Sequence, residues 1–119
     1  MDVSTRLAFC AALTLASGSA LAHPGLVSSS PRAGELVEKV PKTIRLSFSE
    51  PVEPSFTSIQ LTDPSGRELA VQPAQAEGND PRLVSSPLTA ATPGTYKARW
   101  SALGRDGHRV KGEFTFSVK

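Results

Sequence analysis

Two histidines and one aspartate are the residues of this 119-residue chain whose types and positions suit metal chemistry. His23 follows the small-residue segment "SGSALA", and Asp106 and His108 stand two apart in "RDGH". Two residues that are two apart in an extended segment point to the same face, so a carboxylate and an imidazole should converge there. Gly107 lets the backbone bend between them. We expect His23, Asp106 and His108 to form one site.

The first 22 residues have the pattern of a secretory signal peptide that is cleaved after Ala22. The apolar run "LAFCAALTLA" is too short to span a bilayer, and Ala20 and Ala22 occupy the small-residue positions of a cleavage site. We therefore predict a signal peptide at 1–22 and one mature domain at 23–119 that lies outside the cytoplasm. Cys10 lies in the leader, so the mature chain has no cysteine for a disulfide or a thiolate metal site.

Cleavage before His23 would place a new α-amino group beside an imidazole, and both groups shed protons near neutral pH. The amine nitrogen and ring Nδ1 of one histidine can close a chelate ring on a single metal ion. Together with the Asp106 carboxylate and the His108 imidazole, they supply three nitrogens and one oxygen. Such donors in a square arrangement suit Cu(II), which also binds more tightly than zinc or nickel in the divalent affinity order.

After the leader, apolar and polar residues alternate in four segments, as is typical of half-buried antiparallel strands. The segments are "TIRLSFS", "TSIQLT", "TYKARWSA" and "GEFTFSV". The turn sequence "DPSG" at Asp63–Gly66 predicts a hairpin in which "RELAVQ" returns with Leu69 and Val71 facing inward. A weaker strand is predicted at "PRLVSSPL", where Pro87 indicates a sheet edge or an early stop.

No window after the leader has a convincing helical period, and six or seven short strands are predicted. This pattern indicates an all-β fold, a small antiparallel β-sandwich or barrel of immunoglobulin-like kind, for which we expect about seven strands in a Greek key. Trp100 is interpreted as a core residue. The aromatic residues predicted to supply much of the core are Phe48, Phe56, Tyr96, Trp100, Phe114 and Phe116.

At these residues the sequence resembles the CopC family of periplasmic copper-binding proteins. The similar segments are "AHPGLVSSSPRAGELV", "VPKTIRLSFSEPVEPSF", "PGTYKARWSALGRDGHRVKG" and "FTFSV". The resemblance implies a seven-stranded β-sandwich that binds one Cu(II) per chain through His23, Asp106 and His108. It also implies that Glu50 lies near the metal, as a weak ligand or a neighbour of the ligands. The alternative for Glu50 is a surface charge that ends a strand.

Two features depart from that family. Some members carry a methionine-rich Cu(I) site, but the single methionine here is Met1, in the leader, so no thioether site is expected. Pro24 stands where alanine is common, and it has no backbone N–H to offer the metal as a deprotonated amide. The chelate at His23 remains possible. Arg105 and Arg109 flank the motif, and an arginine beside Asp106 would favour its ionised form while repelling the cation.

The ligand types favour a monomeric, non-enzymatic Cu(II) carrier, and the family resemblance implies a periplasmic role in copper resistance, homeostasis or delivery to a CopD-type membrane importer. The formal net charge is +2, and the basic residues are dispersed without interleaved aromatics, so nucleic acid is not an expected partner. No second apolar span predicts a membrane segment in the mature chain. One alternative is a copper monooxygenase with an N-terminal histidine chelate, which would need an open coordination position beside Asp106. The other is a metal-free extracytoplasmic interaction domain.

Overall fold

The structure is a computed structural model that describes residues 24–69, 73–89 and 92–119. The predicted leader at 1–22 and the candidate ligand His23 lie outside the described residues. Within the described ranges there are eight strands and a 3₁₀ helix at Pro54–Phe56. The strands are β1 (Leu26–Ser30), β2 (Leu36–Val37), β3 (Thr43–Phe48), β4 (Ser58–Thr62), β5 (Gln75–Glu77), β6 (Asp80–Pro87), β7 (Gly94–Leu103) and β8 (Arg109–Val118).

The strands form two four-stranded sheets, in the orders β1-β3-β6-β5 and β2-β8-β7-β4. Every hydrogen-bonded pair of these strands is antiparallel except β2 and β8, which run parallel. The longest ladder joins β7 to β8, from Gly94 opposite Val118 to Leu103 opposite Arg109. The all-β sandwich prediction is confirmed, with eight strands and one parallel pair. The described part of the chain contains no helix with the length and hydropathy of a membrane span.

The core lies between the two sheets and follows the predicted alternation. In β7 the inward residues are Tyr96, Ala98, Trp100 and Ala102, and all four are buried. The Trp100 ring meets Phe48 of the opposite sheet edge to face, with centroids 5.3 Å apart and planes at 70°. Aromatic pairs of this kind contribute about 0.5–1.5 kcal/mol beyond the area that they bury. The prediction that Trp100 is a core residue is confirmed.

Phe56 is the aromatic residue for which the core prediction is wrong, because its exposed fraction is 60%. It ends the 3₁₀ helix that begins at Pro54, and its amide donates to the Glu53 carbonyl. Thr57 is the buried residue at this point of the chain, and its hydroxyl also donates to the Glu53 carbonyl. The turn therefore directs a small, hydrogen-bonded side chain inward and leaves the phenyl ring outside.

Two further sequence predictions, the strand at "PRLVSSPL" and the hairpin after "DPSG", have mixed outcomes. Strand β6 ends at Pro87, as an early stop requires, but it lies between β3 and β5 and is not an edge. After the turn at Asp63–Gly66, the described residues of the returning chain pair with β4 through two isolated antiparallel bridges, Thr62 with Glu68 and Ser58 with Pro73. Leu69 is half-buried against the core, whereas Val71 lies outside the described residues.

Candidate metal centre

The connection between β7 and β8 forms a tight corner at Gly104–His108. The Gly104 amide donates to the His108 carbonyl at 2.9 Å, and the Gly107 amide donates to the Gly104 carbonyl at 3.0 Å. Gly107 has a φ of 87°, in the left-handed region that favours glycine, so this residue allows the chain to reverse. Because the long β7–β8 ladder ends at this corner, the sheet fixes its position.

Asp106 and His108 are brought together by this corner. Asp106 Oδ1 accepts a hydrogen bond from the His108 amide at 3.0 Å, the side-chain-to-backbone bond that aspartate commonly makes in turns. Its other carboxylate oxygen, Oδ2, lies 3.1 Å from His108 Nδ1. The predicted convergence of the two side chains is confirmed, but the cause is a hydrogen-bonded turn and not the alternation of an extended segment.

Both side chains reach solvent, with exposed fractions of 57% for His108 and 33% for Asp106. If Nδ1 carries the proton and donates it to Asp106, Nε2 holds the lone pair that a metal ion needs. A carboxylate beside a histidine ring commonly orients the ring for metal binding in this way. The geometry therefore gives Asp106 two possible roles, as a ligand or as the group that orients the His108 ring.

The first described residues of the chain lie beside this corner. Pro24 is buried, and its Cγ and Cδ atoms would each be 3.0 Å from a Cβ built on Gly104. The same Cβ position is 2.7 Å from Asp106 Oδ1. The residue that follows His23 in sequence is therefore packed next to the backbone and the carboxylate of the candidate metal corner.

Two hydrogen bonds hold the first described residues in this place. The Gly25 amide donates to Ser49 Oγ at 2.9 Å, and the Ser49 amide donates to the Gly25 carbonyl at 2.8 Å. The β1–β3 pairing begins immediately beyond, with Leu26 opposite Phe48. Ser49 is a residue that sequence reasoning missed as part of the site, because it is separated from Gly25 by 24 positions and no local pattern connects them.

Glu50 lies in the segment that connects Gly25 to the corner at Gly104–His108. It follows Ser49, and Val52 two residues later forms an isolated bridge with Gly104. The next amide, of Glu53, donates to the Leu103 carbonyl at 2.8 Å. This places the half-buried Glu50 at the same end of the sandwich as Asp106, as the sequence resemblance implies. Its role as ligand neighbour or surface charge stays a prediction.

The two arginines that flank the motif have partners on the neighbouring segment. Arg105 Nε is 3.7 Å from a Glu53 carboxylate oxygen. Arg109 Nη1 donates to the Phe56 carbonyl at 3.1 Å and to Ser101 Oγ at 2.8 Å. These contacts give both guanidinium groups a structural role in joining the corner to the segment that follows β3.

The described residues by themselves contain no group of three or more histidine, cysteine, aspartate or glutamate side chains placed to hold a metal ion. Asp106 and His108 supply one oxygen and one nitrogen, which is half of the predicted donor set. The other half belongs to His23, whose neighbour Pro24 lies against the corner. The donors present fit a nitrogen- and oxygen-coordinated ion such as Cu(II), provided that His23 completes the set.

The fold and this corner define a small β-sandwich protein with a polar, partly exposed imidazole–carboxylate pair beside its N-terminal segment. The CopC domain family matches residues 26–119, and the chain belongs to this family. It is 41% identical over 115 residues to the copper resistance protein C of Pseudomonas syringae pv. tomato, covering 92% of this chain and 90% of the relative. The expectation drawn from the sequence segments is confirmed.

Two solved structures are similar to this chain in both fold and sequence. CopC from Methylosinus trichosporium OB3b has a TM-score of 0.77 and 32% identity, covering 82% of this chain and 94% of that one. PcoC from Escherichia coli, described as a methionine-rich copper resistance protein, has a TM-score of 0.66 and 35% identity. That match covers 82% of this chain and all of PcoC. The β-sandwich is therefore the fold of the family.

Proposed function

We propose that the mature protein binds one Cu(II) ion in the periplasm and acts in copper resistance, homeostasis or delivery to a membrane importer of the CopD type. The proposed ligands are the α-amine and ring of His23, the Asp106 carboxylate and the His108 ring. The observation that carries the proposal is the packing of Pro24 on Gly104, beside Asp106. It brings the residue next to His23 to the one described imidazole–carboxylate pair.

The family supports copper as the ion. Relatives named copper resistance protein C match this chain at 37–41% identity over most of its length. PcoC is described as methionine-rich, whereas the single methionine here is Met1, in the predicted leader. Thioethers prefer Cu(I), so the nitrogen and oxygen donors of this chain favour the cupric ion. We propose one ion per monomer and no catalytic turnover.

The first experiment tests the terminal amine. Mature protein that begins at His23 should bind one Cu(II), with a d–d absorption band and nitrogen hyperfine structure in the EPR spectrum. Adding one glycine before His23 converts the chelating amine into an amide and should weaken binding, whereas adding one glycine after Lys119 should not. Equal affinity of the two extended proteins would contradict the role of the amine.

The second experiment separates the two roles of Asp106. Asp106→Asn keeps an oxygen that can accept a hydrogen bond but removes the anionic ligand, whereas Asp106→Ala removes both. Loss of an orienting partner typically costs about 10–100-fold in metal affinity.

His108→Ala should abolish one nitrogen coupling in the EPR spectrum, and Lys111→Ala, an exposed neighbour in β8, is the matched control. Unchanged affinity of His108→Ala would remove the corner from the site.

Copper affinity should fall as the pH falls from 8 to 5, because protons compete with the metal for the amine and for both rings. A competition titration at several pH values measures this dependence, and a flat profile would contradict the ligand set.

Mass spectrometry of the secreted protein tests cleavage after Ala22. Oxygen consumption with a reductant and chitin or cellulose tests the monooxygenase alternative, and sustained product release would favour it.

A further inference from the structure

A steric contact, and not a positive φ, requires glycine at position 104, unlike at most glycines of the described chain. Its φ lies outside the positive region, so the backbone does not require glycine there. By contrast, Gly34, Gly66, Gly78 and Gly107 have positive φ values, and a Cβ on any of them would meet nothing within 4 Å. Gly104 therefore lacks a side chain because the space is filled by other groups, and those groups belong to the candidate metal centre.

The space beside Gly104 is filled from two directions. A Cβ would be 3.0 Å from Cγ and Cδ of the Pro24 ring and 2.7 Å from Asp106 Oδ1. The contact at 2.7 Å requires the Asp106 carboxylate to shift, whereas at 3.0 Å the stiff, buried Pro24 ring must give by a few tenths of an ångström. Any side chain at 104 would thus displace the N-terminal segment, the carboxylate of Asp106, or both.

We propose that Pro24 and Gly104 form a terminal anchor that fixes the direction in which His23 leaves the fold. By holding Pro24 beside Asp106, the anchor would reduce the entropy lost when the His23 amine and ring bind a Cu(II) ion together with the Asp106–His108 pair, and so would raise the affinity. This inference rests on the proposed function. Its physical basis is preorganisation: the apparent affinity falls in proportion to the fraction of molecules whose terminus is docked. Proline contributes twice, since its φ is locked and its ring fills the space over Gly104.

The test is a double-mutant cycle with Gly104→Ala, Pro24→Ala and the two combined, all beginning at His23. Gly104→Ala pushes against the ring and should weaken Cu(II) binding by about tenfold, equivalent to about 1.4 kcal/mol. Pro24→Ala removes Cγ and Cδ and should weaken Cu(II) binding severalfold, because the segment at residue 24 is then held less firmly. The combined variant should bind more tightly than the product of the single effects predicts, because the contact with the ring is gone and only the contact with Asp106 Oδ1 remains.

Gly112→Ala is the matched control. A Cβ there would lie 2.5 Å from the Trp100 ring, so this variant also introduces a steric collision, but in the sheet and away from Asp106. It should lower the thermal midpoint while leaving the copper affinity and EPR spectrum unchanged. If it weakens copper binding as much as Gly104→Ala does, loss of stability explains both, and the anchor is overturned.

The metal-free protein supplies an independent measurement. A nuclear Overhauser effect between the Pro24 ring protons and the Gly104 α-protons should be present before any copper is added, and its absence would overturn the anchor. If the wild-type chain binds no Cu(II), the proposed function fails, whatever the NMR result. If the wild type binds Cu(II) and both single variants bind it within twofold, the proposed function stands and the anchor is rejected.

Discussion

Two phenylalanines of this chain permit a direct test of how burial controls its stability. Phe48 is 2% exposed and packs edge to face on Trp100, whereas Phe56 is 60% exposed on the 3₁₀ helix. Truncation of a buried phenylalanine to alanine typically costs about 3–5 kcal/mol in the free energy of unfolding, through lost transfer energy and the cavity left behind. A surface substitution costs within about 0.5 kcal/mol. The loss in the free energy of unfolding should therefore be severalfold larger for Phe48→Ala than for Phe56→Ala.

The predicted loss at Phe48 is a large part of the total stability of such a domain, which is about 5–15 kcal/mol. For a domain of this size, 3–5 kcal/mol corresponds to a decrease of about 12–40 °C in the thermal midpoint. Phe48→Leu is a milder variant for the case in which Phe48→Ala does not fold. It keeps most of the apolar volume but loses the edge-to-face contact with Trp100, which is worth about 0.5–1.5 kcal/mol.

Equilibrium unfolding in urea measures these differences, with the midpoint reporting stability and an unchanged slope reporting an unchanged unfolded state. The expected order of stability is wild type equal to Phe56→Ala, then Phe48→Leu, then Phe48→Ala. If Phe56→Ala costs as much as Phe48→Ala, the Phe56 ring is packed in solution. That result would refute the conclusion that the 3₁₀ helix excludes Phe56 from the core.

Two further predictions concern the sheet and the turn between β4 and Glu68. Gly112→Ala should cost about 1–3 kcal/mol by overpacking against Trp100, a loss that urea unfolding would measure and that an unchanged midpoint would exclude. Hydrogen bonds from the Ser65 hydroxyl and the Arg67 amide hold the pKa of Asp63 below its usual value. A lowered pKa stabilises the fold above about pH 4, and the gain is lost as the pH falls through the folded-state pKa. Asp63→Asn should therefore make unfolding less sensitive to pH in that range, and an identical acid dependence would contradict this.

The sequence predicted the strands whose inner faces are long and apolar. Strands β3, β7 and β8 alternate over six to ten residues, so their buried residues could be assigned directly. Strands β1, β2 and β5 were not assigned, because β2 has only two residues and β1 and β5 are short and mostly polar. Strand β2 pairs in parallel with β8 through Leu36 and Val37, and two residues are too few to show an alternating pattern. Their strand conformation depends on the partner strand.

For the candidate site, the sequence predicted the residue types and the structure supplied the reason for their proximity. The contact between Asp106 and His108 could be expected from spacing alone. The approach of Pro24 to Gly104 could not, because it depends on the β1–β3 pairing and on Ser49, which are remote in sequence. Phe56 shows the opposite error: residue type indicated the core, but the local turn beginning at Pro54 overrode it.

The proposed site is divided between a half that folding creates and a half that proteolysis creates, and this division leads to a last prediction. Asp106 and His108 meet through bonds within one turn, so we expect the corner to form with or without the predicted leader. The α-amine of His23 exists only after cleavage. The uncleaved precursor should therefore bind Cu(II) much more weakly than the mature chain while unfolding with a similar midpoint. Competition titration of the two proteins measures the difference, and equal affinities would mean that the corner holds the ion without the terminal amine.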